Sequence, residues 1–171
     1  IEFVPVPDPD TRTDLLLAGE VQALQTSSNT NIHILENSEG IYNFIDVTTD
    51  ESFIMLNSSV APFDDIRARR ALAYATPKAD YIALITAGLG VPADQLFHPD
   101  NPYHNPAVKQ EADMPDEAAA LAAEYCADVP ASCTDGRIKM EYQFVEGSVL
   151  NQRIAELLEK GWSGAFDVTF D

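Results

Sequence analysis

The chain has 171 residues, 28 acidic against 10 basic, and a formal charge of -18. Apolar residues make up 46% and charged ones 22%, ordinary globular usage that excludes a disordered chain and leaves room for one domain, or one domain and part of a neighbour. Scarce Lys and Arg argue against nucleic acid and disfavour anionic membrane surfaces, and no run reaches the ~20 apolar residues of a membrane-spanning helix. Solubility, or a partner with a positive face, accounts for the acidity.

In chain order, Ile1, Phe3 and Val6 alternate as a strand that Pro7-Asp8-Pro9-Asp10 ends. A helix is expected over about 12–18, capped by Asp10 or Thr11, buried through Leu15, Leu16 and Leu17, and stopped by Gly19. Val21 to Leu24 is extended, and residues 26–31 form a polar loop. Strands are expected at Ile32–Leu35, Ile41–Val47 and Ser52–Leu56. Ala61-Pro62-Phe63-Asp64-Asp65 then opens a helix, its carboxylates favourable against the positive end of the helix dipole. Phe63, Ile66, Arg70 and Ala73 share one face of it, flanked by Ala68, Ala71, Leu72 and Ala75. Thr76-Pro77 stops that helix and starts another, which carries Tyr81, Ile82, Leu84 and Ile85 and ends at Gly88.

Residues 88–109 are rich in Pro, Gly, Asn and Asp and read as a long irregular loop. Pro115-Asp116-Glu117 opens a third helix through Leu121 to Tyr125, and Ile138, Met140 and Tyr142 alternate as a strand. Ser148 to Lys160 is a fourth helix with Val149, Ile154, Leu157 and Leu158 inward, and Phe166 to Phe170 is a last strand. Strands interspersed with helices give an α/β structure, and the early run of strands makes a mixed sheet. A chain that begins at Ile1 and closes on the apolar run Phe166–Phe170 reads as cut from a longer one.

No catalytic site assembles from these residues. His98, Asp100 and His104 could be drawn as a metal clamp, yet neither histidine has helical ligand spacing and a solvated loop is favoured. Gly88-Leu-Gly90 holds half of a dinucleotide fingerprint, but Ala93 replaces the third glycine and the run follows a helix. Arg67, Arg69 and Arg70 are expected to pair with nearby acids or buttress the core rather than hold an anion. Cys126 and Cys133 lie seven apart: one short disulfide loop in an oxidising compartment, two free thiols in a reducing one. Asn57-Ser58-Ser59 ends a strand with polar groups at the sheet's edge, where α/β folds bind ligands, although an ordinary capping turn explains it too.

From Leu56 the chain runs Leu-Asn-Ser-Ser-Val-Ala-Pro-Phe-Asp-Asp-Ile-Arg-Ala-Arg-Arg-Ala-Leu-Ala-Tyr-Ala. This closely resembles the signature region of the family 5 extracellular solute-binding proteins, the oligopeptide- and dipeptide-binding components of ABC importers. The matching positions are Leu56, Asn57, Pro62, Phe63, Asp65, Ile66, Arg67, Arg69, Ala71, Leu72, Tyr74 and Ala75. Arg12, Leu16, Gly19, Glu20 and Val21 fit the family's upstream segment, Gly88, Gly90, Pro92 and Ala93 its post-helix loop, and Ala118 with Leu121 the next helix. Departures are Ala68 for a larger apolar residue, Thr76-Pro77 for Ile-Asp, and Gln22 for Asp.

The resemblance implies a mixed sheet flanked by helices, the second lobe of a type II periplasmic-binding-protein fold. Residues 1–25 would be the end of the first lobe and the hinge, and 26–171 an incomplete second lobe. It implies no enzyme, no cofactor and no metal, but a monomer that captures peptides or a similar small solute and delivers it to the permease subunits of an ABC transporter. Family ligands include dipeptides, oligopeptides, sugars, nickel complexes and opines. The acidic residue that pairs with a peptide's amino terminus is expected beyond Asp171, leaving Asn57, Ser58 and Ser59 as the cleft-lining candidates. The implied location is periplasmic or extracellular, from a secreted precursor, and this favours the Cys126–Cys133 disulfide over free thiols.

Overall fold

A computed structural model describes residues 1–45, 52–145 and 147–171. It holds six helices, a single 3-10 turn and one three-stranded sheet among those residues. The sheet is mixed, as expected: β1 (Cys133–Thr134) pairs antiparallel with β2 (Arg137–Tyr142), which pairs parallel with β3 (Phe166–Phe170). Helix α6 (Val149–Trp162) forms the crossover between the two parallel strands.

Each of these elements follows from its residues. Asp135 and Gly136 both take positive φ (50° and 78°), the conformation a two-residue hairpin requires, and they turn β1 into β2. Along β2, Ile138 and Met140 are buried while Lys139 and Glu141 are exposed. In register, Ile138 lies beside Phe166, Met140 beside Val168 and Tyr142 beside Phe170, so one face of the sheet is apolar.

Helix α3 (Ile66–Ala75) starts where the Asp65 carboxylate accepts the Arg67 N–H at 2.7 Å. It buries Ala68, Ala71, Leu72 and Ala75; Ile66 is exposed, so the expected flank is the true core face. Helix α5 (Pro115–Asp128) presents Ala118, Ala122, Tyr125 and Cys126, and alanines on both helices let α3 and α5 pack closely. Helix α6 adds Ala155, Leu158 and Trp162, with Ile154 and Leu157 half-buried. Val149, expected inward, is exposed because it sits in the first turn of α6, outside the core packing.

Trp162 and Tyr125 are at 0% and 1% exposure, the centre of this core. The Trp162 Nε1 donates to Thr76 Oγ1 at 3.1 Å, whose hydroxyl donates to Leu72 O at 2.7 Å. Helix α6 runs through Gly161, where a Cβ would stand 2.6 Å from Pro77 Cδ and 3.1 Å from Ala75 O. Glycine is what lets α6 reach the junction of α3 with α4 (Lys78–Leu84). Helix α4 begins one residue after Pro77 and ends before Gly88, whose N–H donates back to Ile82 O at 2.8 Å.

The first part of the chain differs from expectation. Helix α1 (Pro9–Leu17) starts earlier, because Pro9 suits the first helical position and Asp8 is the cap, accepting from the Thr11 N–H and Oγ1–H at 2.7 Å each. Thr11 holds the Asp8 carboxyl below its ordinary pKa. Gly19, at φ +75°, follows the last turn as expected. Residues expected as the polar loop and strand of 26–35 fold instead into α2 (Asn29–Glu36), with Ser28 Oγ accepting from Asn31 N–H at 3.5 Å. Asn31 and Leu35, four apart, turn inward together, and Asn31 Nδ2 donates to Asp10 Oδ1 at 3.0 Å across to α1. Residues 1–7, 21–24, 41–45 and 52–56 are extended or irregular without ladder partners among the described residues; the rest of the strand expected at Ile41–Val47 lies outside them.

Candidate functional site

Parallel strands open their carboxyl ends toward the same side, and the chain then enters a helix there, so main-chain and aromatic groups collect at one edge. In this chain that edge is Tyr142 and Phe170. Pairing continues past the strands, with Asp171 N–H donating to Tyr142 O at 3.1 Å and Phe144 N–H to Asp171 O at 3.2 Å. Tyr142 meets Phe170 edge-on at 5.8 Å between centroids and lies nearly parallel to Phe144 at 6.2 Å; Phe144 meets Phe170 edge-on at 6.3 Å. The shelf is anchored from beneath, because Tyr142 also packs edge-on against buried Trp162 at 5.4 Å.

Polar groups border this shelf. Gln143 Nε2 donates to Glu141 Oε1 at 2.8 Å and to Asp171 Oδ2 at 3.3 Å. Ser148 caps α6, its Oγ accepting the Asn151 N–H at 3.3 Å, and Asn151 Nδ2 donates to Val145 O at 3.1 Å. Tyr81 of α4 donates its hydroxyl to Ser52 Oγ at 3.5 Å. Burial pushes the Tyr142 hydroxyl pKa up, with Tyr81 adding to it, so Tyr142 is a neutral hydrogen-bonding group across the physiological range. A half-buried aromatic platform bordered by amide, hydroxyl and carboxylate groups suits recognition of a small molecule.

The residues singled out from sequence fall elsewhere or turn inward. Asn57, Ser58 and Ser59 form an exposed turn in which the Asn57 side-chain oxygen accepts the Ser59 N–H at 3.1 Å and the Ser59 hydroxyl at 2.6 Å. In the sequence Tyr142 and Phe170 read only as strand residues; the signal for the shelf is the aromatic pair Tyr142 and Phe144 at a strand's end, followed by a Ser-capped helix.

His98 Nδ1 lies 3.5 Å from Asp100 Oδ2, while His104 Nδ1 faces Phe97 O at 2.9 Å. Among the described residues, no three His, Cys, Asp or Glu side chains are grouped to hold a metal ion. The loop around them has a neck of its own, where Gln95 Nε2 donates to Asn105 O at 2.8 Å and Asn105 N–H returns to Gln95 Oε1 at 3.0 Å. Beneath it burial lowers the Lys78 pKa, against the raising pull of Asp94, Asp113 and Glu111, and Lys78 donates to Ala93 O.

Arg67 lies between Asp65 at 2.7 Å and Asp128 at 2.6 Å, with its guanidinium 5.8 Å from the Tyr125 ring centre. Hydrogen bonds from Arg67 hold the Asp65 carboxyl below the usual carboxylate range. Arg69 donates to Phe63 O at 2.7 Å and Asp64 O at 3.1 Å. These arginines fasten the start of α3 and do not form an anion site. Cys126 and Cys133 are bonded, which ties α5 to β1.

The family described as "Bacterial extracellular solute-binding proteins, family 5 Middle" matches residues 1–165. Among curated proteins the chain is 26% identical to the nickel-binding periplasmic protein of Escherichia coli over 93% of its own length. It is 28% identical to the glutathione-binding protein GsiB of Escherichia coli over 60%. It spans 32% and 20% of those two proteins. Among solved structures it superposes on NikA from Brucella suis, crystallised with Fe(III)-EDTA, at a TM-score of 0.72 and 26% identity, covering 96% of this chain and 35% of that one. NikZ from Campylobacter jejuni, in complex with Ni(L-His), shares the fold at a TM-score of 0.60 and 20% identity, covering 96% and 34%. The architecture is thus part of a type II periplasmic-binding-protein fold, and the chain belongs to the family 5 bacterial extracellular solute-binding proteins.

Proposed function

We propose that residues 26–171 are most of the second lobe of a two-lobed solute-binding protein, with residues 1–25 the end of the first lobe and the hinge. The protein captures a peptide or similar small solute outside the cytoplasm, as a monomer, and hands it to the permease subunits of an ABC importer. The family match over residues 1–165 carries this reading. Supporting it, the aromatic shelf of Tyr142, Phe144 and Phe170 stands at the carboxyl ends of parallel strands, where such folds take ligands. Affinity then needs the facing lobe, because a half-open shelf buries only one side of a solute.

The test is thermal unfolding of the full-length protein with peptides, oligosaccharides and Ni²⁺. A solute at a hundred times its Kd stabilises the native state by about 2.7 kcal/mol. One class is expected to raise Tm, and Phe144→Ala to abolish that rise. A rise with Phe144→Ala unchanged places the contact elsewhere, with Asn57→Ala the next variant. No rise with any solute favours an acidic protein-interaction domain on the same fold.

A further inference from the structure

The unusual quantity in this chain is the sign of its charge rather than the amount. Charged residues are 22% of the sequence, yet the split is 28 to 10, and lysine supplies only Lys78, Lys109, Lys139 and Lys160. The structure sharpens the imbalance, because half of the basic side chains are spent on main-chain carbonyls. Arg12 donates to Val6 O and Pro7 O, Arg69 to Phe63 O and Asp64 O, and Lys78 to Ala93 O. Lys139 reaches Ala131 O at 3.5 Å, and Arg67 divides its donors between two carboxylates and Glu124 O.

Beyond Arg67, the Lys and Arg ion pairs among the described residues are Lys109–Glu111 and Arg137–Asp167, both at 3.8 Å. Most carboxylates of the described residues therefore face solvent without a cation from among those residues. Several are close in sequence: Asp10 and Asp14 are one turn apart on α1, and Glu39 follows three residues after Glu36, the last residue of α2. Like charges at such spacing repel, and a net charge this far from zero opposes compaction.

We propose that dissolved monovalent cations complete this fold: the chain is built for a concentrated-salt medium, which supplies the neutralisation its own basic residues do not. Screening has the right range for this. The Debye length is about 10 Å at 0.1 M salt and about 3 Å at 1 M, so carboxylates one helical turn apart repel in the first medium and are isolated in the second. The inference stands apart from the solute-binding reading and holds whichever solute is bound.

The experiment is thermal unfolding of the full-length protein, without solute, in NaCl and in KCl from 0.05 to 2 M. Its companion is a variant with Asp14→Asn, Glu20→Gln, Glu36→Gln, Glu39→Gln, Glu124→Gln and Glu156→Gln, all exposed positions without an ion pair among the described residues. We expect Tm to rise by about 10 °C across the range in either salt, most of it below 1 M. The variant is expected to start higher at 0.05 M and to rise less. A Tm that stays level with salt overturns the proposal. So does an equal rise in parent and variant, which would assign the effect to salting-out of apolar surface.

Discussion

Residues 62–171 and residues 1–60 carry similar apolar patterning and end in opposite states. In the first region a core closes around Trp162, Tyr125, Ile138 and Phe166, although Leu84, Leu96 and Tyr103 stay outside it. In the second, full burial among the described residues is confined to Thr13, Asn31 and Leu35, Ile54 and Leu56 pack half-buried against that core, and Phe3, Tyr42, Phe44, Phe53 and Met55 stand exposed, Phe44 at 98%. Alternation of apolar residues gives a segment the capacity to be a strand, but a strand exists only beside a partner. Residues 138–142 have β1 and β3 at hand; residues 1–7 have no such neighbour among the described residues. The lesson is that local pattern states what a segment can bury, and the surrounding chain decides whether it does.

The comparison breaks most sharply at Trp162. Trp162→Ala removes the largest fully buried side chain, the platform under Tyr142 and the donor to Thr76, and is expected to cost about 3–5 kcal/mol in urea unfolding. Replacing Cys126 and Cys133 together by serine frees a loop with a sequence separation of 7, and about 2–3 kcal/mol is expected to go in the same assay. Leu35→Ala sharpens the contrast from the other side. Leu35 is 4% exposed on α2 but lies outside the main core cluster, so the unfolding of the C-terminal region is expected to shift by less than about 0.5 kcal/mol. A shift as large as that of Trp162→Ala would show the two regions to be one cooperative unit.

Much of residues 62–171 is legible in the sequence, and for a physical reason. Asp65, Pro115 and Ser148 mark three helix starts through side chains or ring geometry that act within one turn, independent of the rest of the molecule. The β2 and β3 strands are equally plain, since Ile138, Met140 and Tyr142 alternate against polar neighbours. The β1–β2 hairpin is not among the expectations: Asp135-Gly136 carries its turn, but a strand of two residues leaves no periodicity to notice.

Helix α2 departs from the expected strand because Ile32 and Ile34 favour strand, whereas the Ser28 cap and the Asn31–Leu35 spacing favour helix. The face of α3 was misassigned for a related reason. Ile66 outweighs alanine in any hydrophobicity ranking, yet the close approach of α5 selects small side chains, while Phe63, just before the helix, does pack against the core. The candidate site was the least legible part, because Tyr142, Phe144 and Phe170 meet only through the crossover by α6.

The end of α5 shows a last consequence. Within three residues it carries two fastenings: Cys126 is bonded to Cys133 and Asp128 holds Arg67. Their chemical weaknesses do not overlap. A reductant opens the covalent one and leaves the ion pair, while salt screens the exposed charges and leaves the sulfur bridge. An environment hostile in one respect therefore unlatches one side of the joint, and the helix end stays docked until both insults arrive together.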